Sequence, residues 1–414
     1  MESPRIREAR KTLIASIRKE SRPRPPSQHC CIRRVSKRLR EIKEDAYVPE
    51  IISFGPLHRG KPSLKAMEEH KIWYFHDLMS RLPETFLEDM VRVIEKLKGD
   101  SRACYAEAIN MSSEEFVRMM LFDGCFMIEL FSRYRTRKPA TKNDPIFNVY
   151  GMLETIRRDM LLLENQLPFI VLEHLFNIVN CYPFTNPPPF TSSVTPFLAC
   201  SWEVQSLSSS KHTHALNLVR NHYLWHSQEY KIANLMEIIP IPCAWDLYQS
   251  GVKFRKSSSD DRCEITFTED GVFEIPIIRF TDCDEVHYRN IIALEQCDKD
   301  CTHKFISYVY LLDLLINTEK DVRLLCDRGI IENYLGSHEE LALVINKLCT
   351  NVLMKGSFYT ELCTKVYAYH KRRRNRLRAT LKRDYFNTPW KIIQVIAASL
   401  LLLLTFLQTL YTMK

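Results

Sequence analysis

Glycine is scarce in this chain, at ten residues in 414, and none of the ten falls into a phosphate-binding or nucleophile-elbow pattern. There is no G-x-x-x-x-G-K-S/T, no G-x-G-x-x-G and no G-x-S-x-G, which excludes the common glycine-cradled phosphate sites and the exposed-serine turn of α/β-hydrolases. A secretory signal is missing too. In the first thirty residues the longest apolar run is Leu13–Ala15, far short of an h-region, and Glu2, Glu8 and Glu20 interrupt any transit-peptide pattern. The segment His338-Glu-Glu-Leu-Ala342 begins like a zinc helix but carries Ala where the second His must stand. Charge is absent from Ile392 to Met413, a run longer than a buried core helix ordinarily has.

Cysteine, by contrast, is plentiful at fourteen residues. In a body with no export signal these are expected to be reduced, mostly buried thiols. Cys283, His287, Cys297, Cys301 and His303 follow C-x3-H-x9-C-x3-C, which fits no standard zinc knuckle. No metal, cofactor or catalytic residues are read from the sequence. Glu68-Glu69-His70-Lys71 reads as a solvated helix face, because adjacent helical residues point different ways. Asp159 and Glu164 flank Met-Leu-Leu-Leu and are expected to pair with Arg157 or Arg158, or to cap a kink.

What is present is a long apolar end. Ile392, Ile393, Val395, Ile396, Leu400, Leu401, Leu402, Leu403, Leu404, Phe406, Leu407 and Leu410 lie in an uncharged stretch of the last 25 residues. As a helix, residues 392–413 would reach about 33 Å, enough for a hydrocarbon core of about 30 Å. A basic collar abuts it: Lys371, Arg372, Arg373, Arg374, Arg376, Arg378, Lys382, Arg383 and Lys391, against the single acid Asp384. Residues 1–45 are likewise basic, with 14 Lys/Arg against 6 Asp/Glu, while residues 46–369 hold 34 against 43. The acidic body with two basic ends argues against nucleic acid as a partner. Basic residues beside a span instead meet anionic lipid and stay on the cytosolic side. The expectation is a tail-anchored, single-pass membrane protein with a cytosolic body; plasma membrane and endomembrane are not distinguished.

Along the chain, Ile6, Ala9, Leu13, Ile14 and Ile17 form an apolar stripe that is expected to dock onto the body, with a membrane surface as the other outcome. Arg22-Pro-Arg-Pro-Pro-Ser27 reads as an extended linker. Helical periods follow from Leu64, Phe86 and Phe116, the last preceded by the capping box Ser112-x-x-Glu115. Another runs from Ile146 to Val179, broken or kinked at Pro168. Residues 181–196 read as a loop, with loop-like composition to about Ser210. Helical periods resume from Ala215 to Ile239, and β character is confined to about residues 251–280 around the turn Asp270-Gly271. Helices return at Asp284–Cys297, Thr302–Ile316, Glu319–Asp327, His338–Val352 and Tyr359–Phe386. The fold class is therefore mainly α: a multi-helix globular body with a small antiparallel β element and one C-terminal transmembrane helix. Its expected divisions are a basic arm (1–29), the body (30–369), a juxtamembrane segment (370–391) and the span (392–413).

Several strings resemble a plant family, domain of unknown function 247. They are Tyr47-Val-Pro-Glu-Ile-Ile-Ser-Phe-Gly-Pro-Leu-His-Arg-Gly60, Met67-Glu-Glu-His-Lys71, Asp159-Met-Leu-Leu-Leu-Glu-Asn-Gln-Leu-Pro-Phe169 and Gly251-Val-Lys-Phe254. Glu274-Ile-Pro276, Arg289-Asn-Ile-Ile-Ala-Leu-Glu-Gln-Cys297, Asn333-Tyr-Leu-Gly336 and Leu381-Lys-Arg-Asp-Tyr-Phe-Asn-Thr-Pro-Trp390 continue in the family's order. The resemblance implies a plant protein attached to a membrane near its C-terminus, with no established enzymatic activity and no catalytic residues to carry over. Some relatives are associated with self-incompatibility recognition in grasses. Ala244-Trp245-Asp-Leu247 departs from the family's small-polar pattern and implies local repacking.

The function expected is a protein-interaction or recognition component at a lipid bilayer, with an unidentified protein partner. The alternative is a membrane-associated enzyme with an unrecognised active site. A third reading places the body outside the cell, where Asn110-Met-Ser112 would be glycosylated.

Overall fold

The computed structural model describes residues 8, 10–15, 30–137, 144–180, 189–199, 212–224, 238–259, 261–298, 301–354, 356–372 and 389–412. Its longer helices are α1 (Lys65–Met79), α2 (Thr85–Ala103), α3 (Ser113–Thr136), α4 (Met152–Met160), α5 (Phe169–Asn180), α6 (Phe190–Leu198) and α7 (Ala215–Tyr223). They continue as α8 (Asp282–Cys297), α9 (Lys304–Leu315), α10 (Glu319–Asp327), α11 (His338–Leu348), α12 (Thr360–Lys371) and α13 (Pro389–Thr412).

The middle of the first half is α3, entered through the expected capping box. Ser112 Oγ accepts from Glu115 N–H, and Glu115 returns to the Ser112 N–H at 2.8 Å. Residues on every side of α3 are buried, from Phe116 to Phe131, so it runs through the core rather than over it. Its partners are α1, α2, α5 and α6. At Gly124 the crossing is close enough that a Cβ would stand 2.6 Å from Leu175 Cδ1 on α5. Gly99 does not end α2, which runs on to Ala103.

Two segments differ from the sequence reading. The chain from Ile146 to Val179 breaks at residues 149–151, where Gly151 has φ +80°, and again over residues 161–168, not at Pro168 alone, because buried polar side chains in the second break take up the backbone groups a helix would use. The second half of the expected loop 181–196 is helix α6: Phe190, Val194, Phe197 and Leu198 recur at helical spacing and are buried, with Pro196 tolerated near the helix end. Residues 181–188 and 200–211 lie outside the described residues, as do 225–237 of the expected helix from Ala215. The N-terminal stripe also differs. Ile6, Ala9 and Ile17 lie outside the described residues; residues 10–15 are helical, and Leu13 (58% exposed) and Ile14 (43%) are not covered by the body.

The β element is mixed rather than wholly antiparallel. β2 (Thr266–Phe267) and β3 (Val272–Ile275) form the expected antiparallel pair around Asp270-Gly271. β1 (Lys253–Lys256), however, pairs with β3 in parallel, in the order β1-β3-β2. A second, two-stranded parallel sheet joins β4 (Ile278–Phe280) to β5 (Ile331–Asn333). The intervening α8, α9 and α10 supply the long crossover that a parallel pair needs. β5 is three residues long and left no periodic trace in the sequence. One contiguous buried cluster spans both halves, from Ile32 to Val366.

Candidate membrane anchor and the body beside it

α13 holds the residues read as a span. Its stretch Trp390–Thr409 is long and apolar enough to cross a membrane, and none of it is buried against the rest of the chain. Leu400, Leu401, Leu402, Leu403 and Leu404 are all more than half exposed. In water that would be unfavourable by about 25 cal/mol per Å² of apolar surface. Three hydroxyls along the helix bond to its own backbone. Ser399 Oγ donates to the Val395 carbonyl, Thr405 Oγ1 to Leu401 and Thr409 Oγ1 to Thr405, each at 2.8 Å. The helix therefore presents few open polar groups on its flanks. Trp390 (77% exposed) and Tyr411 (85% exposed) stand near its two ends. They are 21 residues apart, about 31 Å along a helix, which is the spacing of interfacial aromatic belts.

Of the basic collar, Lys371 and Arg372 end α12 and Lys391 opens α13. Arg373, Arg374, Arg376, Arg378, Lys382 and Arg383 lie outside the described residues. Lys371 Nζ sits 4.3 Å from the centroid of the Tyr367 ring. α12 itself is seated on the β element. Val366 and Cys363 are buried, and the Tyr359 hydroxyl donates to the Cys263 carbonyl at 2.6 Å. Tyr369 packs edge-on to Phe267 with centroids 5.6 Å apart and lies against Gly271, where a Cβ would be 2.3 Å from its ring. His370 Nδ1 and Ser250 Oγ are 2.8 Å apart. The helix leading toward the collar is thus fixed to the body.

In the body, the string Asp159–Phe169 ties together segments remote in sequence. The extended piece at residues 48–56 has no strand partner for its N–H groups, and side chains replace one. Asp159 Oδ1 accepts from Glu50 N–H at 2.9 Å, and Asp159 Oδ2 from Ile51 and Ile52 N–H at 2.8 and 3.0 Å. Asn165 Oδ1 accepts from Phe54 N–H at 2.6 Å, and Asp123 Oδ2 from Gly55 N–H at 2.9 Å. Gly55 is required there: its φ is +69°, and a Cβ would fall 2.8 Å from the Gln166 carbonyl oxygen. Gln166 Nε2 donates to the Met160 and Leu162 carbonyls at 2.6 Å each, satisfying groups freed where α4 stops. The Asn290 carboxamide ties the same string to Ala46: it accepts from Leu163 N–H at 2.9 Å and donates to the Ala46 carbonyl at 2.7 Å.

The two carboxylates flagged in the sequence are therefore structural. Asp159 pairs with Arg158 Nη1 at 3.0 Å, as expected, and burial pushes its carboxyl above the usual range despite the three backbone donors. Glu164 pairs elsewhere, with Arg34 Nη1 at 3.3 Å and with Arg40, and it accepts from Val35 N–H at 2.7 Å. His58 Nε2 is 3.5 Å away. Burial opposes ionisation of Glu164, but these donors, His58 first, hold its carboxyl below the usual range. Arg157 turns away, stacking 4.9 Å over Phe197 and donating to that residue's carbonyl at 2.6 Å.

Lys71 is a correction. It is not on a solvated face but wholly buried, with Nζ 2.7 Å from Asp123 Oδ1, 2.5 Å from Glu68 Oε1, and donating to the Ser53 carbonyl. Trp245 is accommodated at the start of the short helix Ala244–Gln249, its backbone N–H donating to Asp321 Oδ1 at 2.8 Å and its ring 5.9 Å from that of Tyr248. A cleft of about 350 Å³ opens between α1, α3, α5 and α6, lined by Leu78, Phe131 and Phe176 with Arg81, Glu129 and Ser132. Its carboxylate, Glu129, is already engaged by Arg81 Nη2 at 2.5 Å and Arg133 Nε at 2.6 Å.

Residues 32–404 match DUF247, described as plant protein of unknown function. The chain belongs to that family. The DUF247 chain is 27% identical to the UPF0481 protein At3g47200 of Arabidopsis thaliana over 434 aligned positions, covering 96% of this chain and 87% of that protein. It is 24% identical to a second UPF0481 protein of Arabidopsis thaliana, At3g02645, over 473 positions, covering 90% and 88%. No solved structure matches the DUF247 chain. The family match takes in the polar string, the β elements and most of α13.

Proposed function

We propose that this DUF247 protein is held to a lipid bilayer by α13, with its helical body in the cytosol, and that the body binds another protein in recognition or signalling. The observation that carries the first part is the exposed apolar helix Trp390–Thr409, uncharged from Ile392 onward, none of which the body covers. The basic collar between α12 and α13 supports the orientation, because Lys and Arg beside a span stay on the side from which it inserts. The second part rests on the chemistry of the body. Buried charges such as Lys71, Asp123 and Glu164 are paired with partners that hold the fold, which leaves the surface of the body as the part open to another protein. The cleft at Arg81 and Glu129 is where the alternative reading, an enzyme, would be sought.

Deleting Trp390–Lys414 is expected to move the protein from the alkaline-carbonate-resistant membrane pellet to the supernatant. A deleted chain that stays in the pellet would overturn the anchor. Proximity labelling from the full chain against the deleted one is expected to identify a protein neighbour that depends on the membrane. Labelling that returns no protein enriched on the full chain would overturn the interaction reading.

A further inference from the structure

Three thiols meet where the N-terminal arm joins the body. Cys30 and Cys31 precede Ile32, which forms an isolated parallel bridge with Tyr105. The N–H groups of Cys31 and Ile32 donate to the Cys104 carbonyl at 3.0 and 2.9 Å, and Ala106 N–H donates to the Ile32 carbonyl at 3.0 Å. In that register Cys31 stands opposite Cys104, one step before the bridge. Neighbouring strands lie about 4.8 Å apart, inside the roughly 4.4–6.8 Å Cα separation that a disulfide spans. The two thiols are near enough to shift each other's acidity in opposite directions. The Cys104 S–H donates onward to the Asp100 carbonyl at 3.4 Å. Both cysteines are free and partly open to solvent, so a small oxidant can reach them. Neither takes part in the polar string or the seating of α12.

We propose that Cys31 and Cys104 are an oxidation site that closes to a reversible disulfide under hydrogen peroxide, fastening the root of the basic arm to the end of α2. Interaction with the neighbouring thiol holds Cys104 below its ordinary range and raises Cys31, which makes Cys104 the attacking sulfur. The Cys104 thiolate attacks one peroxide oxygen, the O–O bond breaks, and the departing hydroxide takes a proton to leave as water. Cys104 is then a sulfenic acid. The Cys31 sulfur attacks the Cys104 sulfur, the S–O bond breaks, and the hydroxyl leaves with the Cys31 proton as a second water. Two thiols are oxidised and one peroxide is reduced to two waters. In a reducing compartment thiol exchange reopens the bond, so it forms only when peroxide rises.

The test uses the full chain in detergent, treated with a few equivalents of hydrogen peroxide, alkylated, digested and analysed by mass spectrometry. The expected result is a peptide pair joining Cys31 to Cys104, released by dithiothreitol, and an upward shift of a few degrees in the thermal midpoint of the oxidised protein. Cys30→Ser should leave the pair intact, whereas Cys31→Ser should leave Cys104 as a sulfenic acid trapped by dimedone. Alkylation of both Cys31 and Cys104 after peroxide would overturn the proposal, as would a bond from Cys104 to Cys30 instead. The mapping on the unsubstituted chain decides even where a variant fails to fold.

Discussion

Lys71 is buried because three oxygens converge on its ammonium. Desolvating a charge costs several kcal/mol, and only close partners offset it. Replacing it with methionine keeps the volume but leaves Asp123, itself wholly buried, without its cation. Lys71→Met is expected to lower stability by about 3 kcal/mol, read as a lower denaturation midpoint in urea. Burial pushes the carboxyl of Asp313, on α9, up to about 6 from its ordinary 3.8. Below pH 3.8 that group is protonated folded or unfolded, and it has no effect. As pH rises the unfolded carboxyl ionises first, so the folded state loses stability between about pH 4 and 6, and the loss is complete above 6. Asp313→Asn is therefore expected to stabilise the protein at pH 7 by about 1–2 kcal/mol after discounting for partial exposure, with about a third of that gain at pH 4.5. Paired unfolding curves at the two pH values check the sign. The sequence pointed Asp159 to its neighbour Arg158 but read Lys71 as solvated, and it carried no sign of Asp123, 52 residues from Lys71, or of the Glu50 N–H, about 110 residues from Asp159.

At the level of elements, one contact in the join between α12 and the β element depends on a glycine. Gly271 has φ +78°, and its missing Cβ is the space Tyr369 occupies. Gly271→Ala is expected to cost about 2–3 kcal/mol and to make α12 more open to limited proteolysis. Gly329→Ala is the matched control: φ is +65°, but nothing lies within 4 Å, so only backbone strain is added. Strongly amphipathic or fully apolar helices with caps were legible in the sequence, as at Ser112-Glu115. α6 was not, because its phenylalanines follow a proline-rich run whose composition argues for loop until α3 and α5 are there to cover them. The parallel pairing of β1 with β3 was also hidden, since alternation shows that a strand has a buried face but not which neighbour it joins.

For the whole molecule, the opposed charges of ends and body bear on topology. Asn110 lies exposed in the loop between α2 and α3, so burial would not protect it from glycosylation. With the body in the cytosol, Asn110 is expected to stay unmodified in plant cells, and glycosidase treatment to leave the mobility of the protein unchanged. A glycosidase-sensitive shift lost in Asn110→Gln would place the body on the other side. The oxidation site at Cys31 and Cys104 would then sit in an oxidising compartment and be closed at rest.

By itself the sequence determined the helical class, the main helix starts and an end helix long and apolar enough for a membrane, because each depends on neighbours within a few residues. Burial of Lys71, the pairing of Glu164 with Arg34 and Arg40, the mixed sheet and the meeting of Cys31 with Cys104 were decided only by the tertiary structure. Each depends on segments tens to more than a hundred residues apart, and the partner of a buried charge or thiol is set by packing across those distances rather than by local period.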